Sequence, residues 1–225
     1  MFKQPVIYHD PADYFIIDFR GFDIQSERSD IVVVVEAYKL YLNKTILSFA
    51  SPVFHKMFQS EFKEKNQDTI SLPGKKCEDF IAFLLCIYPN TMDDVRADNV
   101  EMVLPLADEY QVLQLKKKCE TFLMEKELGQ SYKRLVHSIV LAEKYNLEKL
   151  LEEATDIASR KMLSELKKEA EFATISTSTQ NKLMLKRIDA IEMAGCRMKQ
   201  RLKIDSSDYR NGSYFEFLKV FDGSK

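Results

Sequence analysis

Residues 29–42 read Ser29-Asp30-Ile31-Val32-Val33-Val34-Val35, then a polar break from Glu36 to Lys39, then Leu40-Tyr41-Leu42. The successive β-branched residues are too few for a helix, and their restricted χ1 angles favour extended backbone. A continuous apolar run of this kind is typical of a strand covered on both faces. The short break before the second run predicts a hairpin.

Working outward, the chain becomes helical from Lys44. Ser51-Pro52 is a cap followed by a first-turn residue: Ser accepts from an orphan amide, and Pro supplies a preset φ where its missing N–H does no harm. Val53, Phe54, Met57 and Phe58 then share one helix face. Thr69-Ile70-Ser71-Leu72 is a brief strand stopped by Pro73-Gly74, and Glu78 to Tyr88 is a helix ended by Pro89-Asn90. Short strands mixed with helices in this order predict an α+β domain. Pro105 lies within the helical stretch from Asn99 to Tyr110. A proline inside a helix costs about 3 kcal/mol, so that helix either starts near Leu104 or is kinked.

The second half reads as all helical and contains a repeat. Leu106-Ala107-Asp108-Glu109-Tyr110-Gln111-Val112 returns as Leu141-Ala142-Glu143-Lys144-Tyr145-Asn146-Leu147, with Leu115 matched by Leu150. Each copy gives a small Ala for close helix contact, a Tyr before a short turn, and a new amphipathic helix. Positions near 71 and 176 hold no third copy, and a solenoid needs at least three. Glu169 to Gln180, with its run Ser176-Thr177-Ser178-Thr179-Gln180, reads as a loop and boundary. Asn181 to Leu202 reads as a further helix.

Composition excludes several functions. Hydrophobic residues are 45% and charged residues 30%, the mix of a soluble globular protein. A net charge of -2 gives no general reason to bind nucleic acid. The basic residues between Lys182 and Lys203 are interrupted by Asp189 and Glu192 without stacking aromatics, which suits a solvated or partner-binding helix face. MFKQPVIYHDPADYF lacks the pattern of a secretory leader, and no stretch approaches the roughly 20 apolar residues of a membrane span. Cys77, Cys86, Cys119 and Cys196 are scattered, as expected of reduced thiols in cytoplasm or nucleus. His9, His55 and His137 lack companions at metal-ligand spacing, and nucleotide-binding glycine loops and nucleophile elbows are missing. No catalysis, metal or cofactor is expected.

From about residue 22 to 124 the order of elements resembles the BTB/POZ family. The opening Ser29 to Val35 looks like its Ser-Asp-Val strand, and Leu40 to Leu47 followed by Ser51-Pro52-Val53-Phe54 looks like its second strand and next helix. Ile87-Tyr88, Leu106 to Tyr110 and Leu115 to Cys119 match its later helices. Asn43 stands where the commonest family sequence has His. Tyr88-Pro89 and the wording from Phe58 to Lys65 are most similar to the large nematode branch. Residues 130–168 resemble the BACK or three-box helices that follow the BTB fold in ubiquitin-ligase adaptors.

The resemblance implies a small mixed sheet flanked by helices (22–124), preceded by an arm (1–21) and followed by an all-helical extension (130–168) and a tail (169–225). It implies a homodimer formed through the arm and first helices, and a cullin scaffold as partner. Phe62 would enter the cullin groove, Glu64 would contact its rim, and Tyr88 would flank them. On the residues alone, the favoured reading is that Phe62 folds back onto Phe58 and Met57 and closes the helix end. Asp30 and Lys44 would line a charged groove as in the transcription-factor branch, or form a structural pair at the hairpin. The function expected is a dimeric adaptor that recruits a substrate to a cullin-RING ubiquitin ligase. A scaffold or transcriptional regulator acting without a cullin is the alternative. Adaptors of this kind usually carry a separate recognition domain, for which only the tail offers room.

Overall fold

The computed structural model describes residues 18–59 and 68–204, with side chains to Met198. The chain divides into two compact units, Met1–Phe122 and Leu123–Lys225.

In the first unit, β1 (Ile31–Val35) and β2 (Tyr38–Leu42) form the expected antiparallel hairpin, registered from Ile31 opposite Leu42 to Val35 opposite Tyr38. Glu36 takes the left-handed turn position (φ 54°). Its carboxylate accepts from the Cys77 N–H at 2.9 Å, so the hairpin tip caps a helix from a distant part of the chain. β3 (Thr69–Ser71) lies parallel to β1 on its other side, giving the order β2-β1-β3. A parallel pair needs a crossover. Here it contains α1 (Lys44–Ala50) and α2 (Pro52–Gln59). The expectation of a strand buried on both faces is corrected. Ile31, Val33 and Val35 are buried, whereas Val32 and Val34 are only half-buried.

Among the described residues of this unit three more helices follow: α3 (Cys77–Ile87), α4 (Val100–Glu109) and α5 (Leu113–Phe122). Pro105 is inside α4, which starts at Val100, so the shorter helix starting near Leu104 does not occur. The core gathers Phe54, Phe80, Phe83 and Tyr110, with the Phe54 and Tyr110 rings stacked at 4.5 Å and 9°. Burial raises the pKa values of the Cys77, Cys86 and Cys119 thiols to about 12, 11 and 12, which keeps them protonated. Phe19 is also buried, its ring 5.5 Å from that of Tyr38. The folded body therefore reaches into the stretch assigned to the arm; residues 1–17 lie outside the described residues.

The second unit opens with a π-helical turn at Leu123–Glu127, then α6 (Tyr132–Lys144), α7 (Glu148–Ser159), the short α8 (Leu163–Leu166), a 3-10 turn at Ala170–Thr174 and α9 (Thr177–Ile204). The sequence repeat has a shared geometry. After α4, Val112 N–H donates to Ala107 O and Gln111 N–H to Asp108 O; after α6, Leu147 donates to Ala142 and Asn146 to Glu143. Each is a Schellman cap whose left-handed residue, Gln111 or Asn146, stands where glycine is usual. The repeated spacing thus encodes one helix stop used twice.

Two expectations about the tail are corrected. Phe172, Ile175 and Leu183 join Leu135, Ile139 and Ala154 in one core, so there is no boundary at residue 168. The polar run is not a loop but the start of α9. Ser176 is its cap, with Oγ accepting from Thr179 N–H at 3.2 Å, a position that suits the short hydroxyl side chains. Ser176 also donates its hydroxyl to Glu143, and its N–H donates to the same carboxylate at 3.0 Å. Burial would raise the Glu143 pKa, but these bonds and one from Thr179 outweigh it and hold the carboxyl low.

Further along, Lys182 and Lys186 both reach Glu152 on α7 at 2.5 Å, and Arg187 Nη1 donates to the Ser159 and Lys161 carbonyls at the end of that helix. The two lysines hold Glu152 at about 2, below the usual 4.5. Because its folded pKa is depressed, this clamp contributes stability above pH 4.5 and loses it as pH falls towards 2. All three side chains are partly exposed, so screening keeps the contribution modest. Glu152→Gln is expected to flatten the acid limb of the melting temperature against pH. Equal slopes for the two proteins would show that the clamp does not act.

Candidate protein-interaction site

The junction of β2, α1 and α3 brings together three of the five residues singled out from the sequence. Asn43 caps α1: its Oδ1 accepts from Ile46 N–H at 3.0 Å and its Nδ2 donates to Arg28 O at 2.8 Å. Asp30 Oδ1 accepts from the Lys44 backbone N–H at 2.6 Å. Two side-chain oxygens therefore satisfy two of the amides left open at the start of α1, and a carboxylate there also suits the helix dipole. Asp30 is exposed in the single chain. It meets Lys44 as a helix cap, through the backbone N–H.

Tyr88, at the end of α3, is only 6% exposed. Its hydroxyl accepts from Asn43 N–H at 3.0 Å, and its ring meets Phe22 edge-on at 4.9 Å. Burial is the main cause that pushes its phenol up to about 12, so it remains a neutral hydrogen-bonding prop. A ring at this depth ties α3 to the start of α1 and offers a partner little surface. Phe62 and Glu64 lie outside the described residues, between Gln59 and Asp68. Phe58, onto which Phe62 could fold, is half-buried and stacks on Phe54 at 6.0 Å.

The residue that sequence reasoning passed over is Phe49. It is 96% exposed on α1, two positions beyond the fully buried Leu47 and hence on the opposite face. Ile46 and Ser48 on the same helix are half-buried. In a seven-residue helix too short for a clear period, the only available signal was an aromatic two residues from an apolar anchor. A ring presented this fully offers apolar area to solvent. Among the described residues, no three His, Cys, Asp or Glu side chains cluster as a metal site, and no helix is long and apolar enough to cross a membrane.

A family model for the BTB/POZ domain matches residues 20–127. Residues 20–127 belong to the BTB/POZ domain family, a family of protein-interaction modules. BTB and MATH domain-containing protein 36 of Caenorhabditis elegans is 32% identical over 165 residues, covering 73% of this chain and 50% of that protein. Protein 38 of the same series is 31% identical over 151 residues, covering 64% and 38%. TD and POZ domain-containing protein 1 of Mus musculus is 30% identical over 129 residues, covering 57% and 34%. The chain therefore spans half or less of the length of these relatives. Among solved structures, the BTB domain of human gigaxonin is similar at 21% identity, with 54% of this chain and 99% of that one covered and a TM-score of 0.38.

Proposed function

We propose that this chain is a dimeric adaptor that pairs with a second copy through α1 and brings a bound protein to a cullin-RING ubiquitin ligase. The observation that carries the reading is Phe49, an almost wholly exposed aromatic on the first helix of a BTB/POZ domain. A two-fold pair repeats each contact, so one aromatic per chain supplies two anchors. Two copies also double the valency offered to a substrate. The cullin contact is assigned to Phe62, entering an apolar groove, and Glu64, at its rim. Tyr88, which is buried, is assigned a supporting part at the start of α1 and not a direct contact.

The test is calorimetry of the full chain against a cullin N-terminal domain. Wild-type protein is expected to bind, and the Phe62→Ala/Glu64→Ala variant to bind about 30-fold more weakly or worse, the loss of one hot spot. No heat from the wild-type protein would sink the cullin reading. What would then remain is a dimeric scaffold that acts by protein binding alone, which uses the same α1 face.

A further inference from the structure

The N-terminal half of α9 is held to α7 by Leu183, Lys182, Lys186 and Arg187, but the helix runs on. From Ile191 to Met198 every residue except Gly195 is exposed. Isolated helical segments are marginal in water and gain stability mainly by packing an apolar face. This one carries such a face. Ile188, Ile191, Gly195 and Met198 follow one another at alternating steps of three and four, and the same spacing in the sequence next falls on Leu202, whereas Met184, one step earlier, packs on this chain's own core. That is a heptad seam with a at Ile188 and Gly195 and d at Ile191 and Met198. Ile188 and Ile191 are 51% and 48% exposed, and Leu185, flanking the seam at e, is exposed too.

We infer that α9 pairs with α9 of a second copy of this chain as a parallel, in-register coiled coil. The 3.5-residue period selects a helix as occupant, because a helix lying on a lipid surface would need a wider apolar face. Charge selects the second copy and its direction. In a parallel pair, position g faces e of the following heptad in the other chain, which sets Arg187 against Glu192 of the second copy, twice over. In the antiparallel pairing that matches the same apolar layers, Glu192 falls beside Glu192 of the second copy, and like charges oppose it. Arg187 Nη1 is held by the α7 carbonyls, and its guanidinium has further N–H groups to offer a carboxylate. This inference does not rest on the α1 interface.

The test is disulfide trapping in the full chain. Cys196 is first changed to Ser; the other three cysteines are buried and stay out of the reaction. Ile191→Cys then places a thiol at d, where a parallel in-register pair brings the two copies within disulfide reach. Met193→Cys places one at f, on the far side. Both variants are exposed positions, so neither threatens the fold. Under mild oxidation, cross-linking at position 191 is expected to be about 100-fold faster than at 193, the scale of an effective-concentration advantage. Both are measured with Phe49 intact and with Phe49→Asp, so that failure of the α1 interface is not mistaken for failure of this one. Cross-linking at 191 but not at 193, in either background, supports the pairing. No cross-link at 191 in either background, or equal rates at the two positions, overturns it.

Discussion

Phe54→Ala is expected to destabilise the first unit by about 3–5 kcal/mol, the cost of truncating a fully buried aromatic. Phe54 has no exposure, stacks on Tyr110 at 4.5 Å and on Phe58 at 6.0 Å, and sits in the first turn of α2. Its amide donates to the Ser51 hydroxyl at 3.2 Å, and that hydroxyl donates to Tyr110 O at 2.6 Å. The side chain, the α2 cap and the end of α4 thus form one connected block. Truncation leaves a cavity whose walls cannot easily close, because the Tyr110 wall is held from other directions by Phe80 and Phe83. Against a typical total of about 5–15 kcal/mol, the expected fall in melting temperature is roughly 12 °C or more. Phe58→Ala, at a half-buried site, is expected to cost clearly less. A Phe54→Ala loss below about 1 kcal/mol would show that α2 is not anchored as described.

This block has a functional consequence. α1 and α2 carry Phe49 and lead into residues 60–67, so the aromatic core fixes the platform from which the proposed contacts are made. The Asp30, Asn43 and Tyr88 bonds fix the other end of α1.

Much of the fold was legible because its signals are local. The β-branched run, the Ser51-Pro52 cap and the Leu-Ala-acid-x-Tyr repeat each state their conformation within a few residues, and the structure repeats even the hydrogen bonds of the two helix stops. The errors arose where local signals had to be read against distant ones. Ser176 to Gln180 has the composition of a loop, yet Ser176 and Thr179 serve as cap and buried first turn because Glu143, from α6, receives them. Residues 169–225 looked separate because Phe172, Ile175 and Leu183 are too widely spaced to announce a shared core. Nothing near Tyr88 in sequence reveals its contacts with Phe22 and the Asn43 amide. Phe49 escaped notice for the complementary reason: in a short helix, an exposed aromatic and a buried one look alike until the packing is known.

Phe49→Asp is therefore the substitution expected to change the assembly most. The aromatic is 96% exposed, so the folded monomer loses almost nothing when it is replaced, and a charge there is fully solvated. In a two-fold interface through α1 the same change occurs twice. Each copy loses an aromatic anchor of about 2 kcal/mol, and two carboxylates are brought into an apolar contact. The expected result is a dimer weakened by about 10³-fold, read by sedimentation across a range of protein concentrations. The change is best made together with Ile188→Lys and Ile191→Lys, which silence the α9 seam, so that any remaining dimer reports on α1 alone. Circular dichroism should show the helical content of the wild-type protein, since Phe49 is exposed and not part of the buried core. An unchanged dissociation constant would remove α1 as the interface, and with it the observation on which the adaptor reading rests.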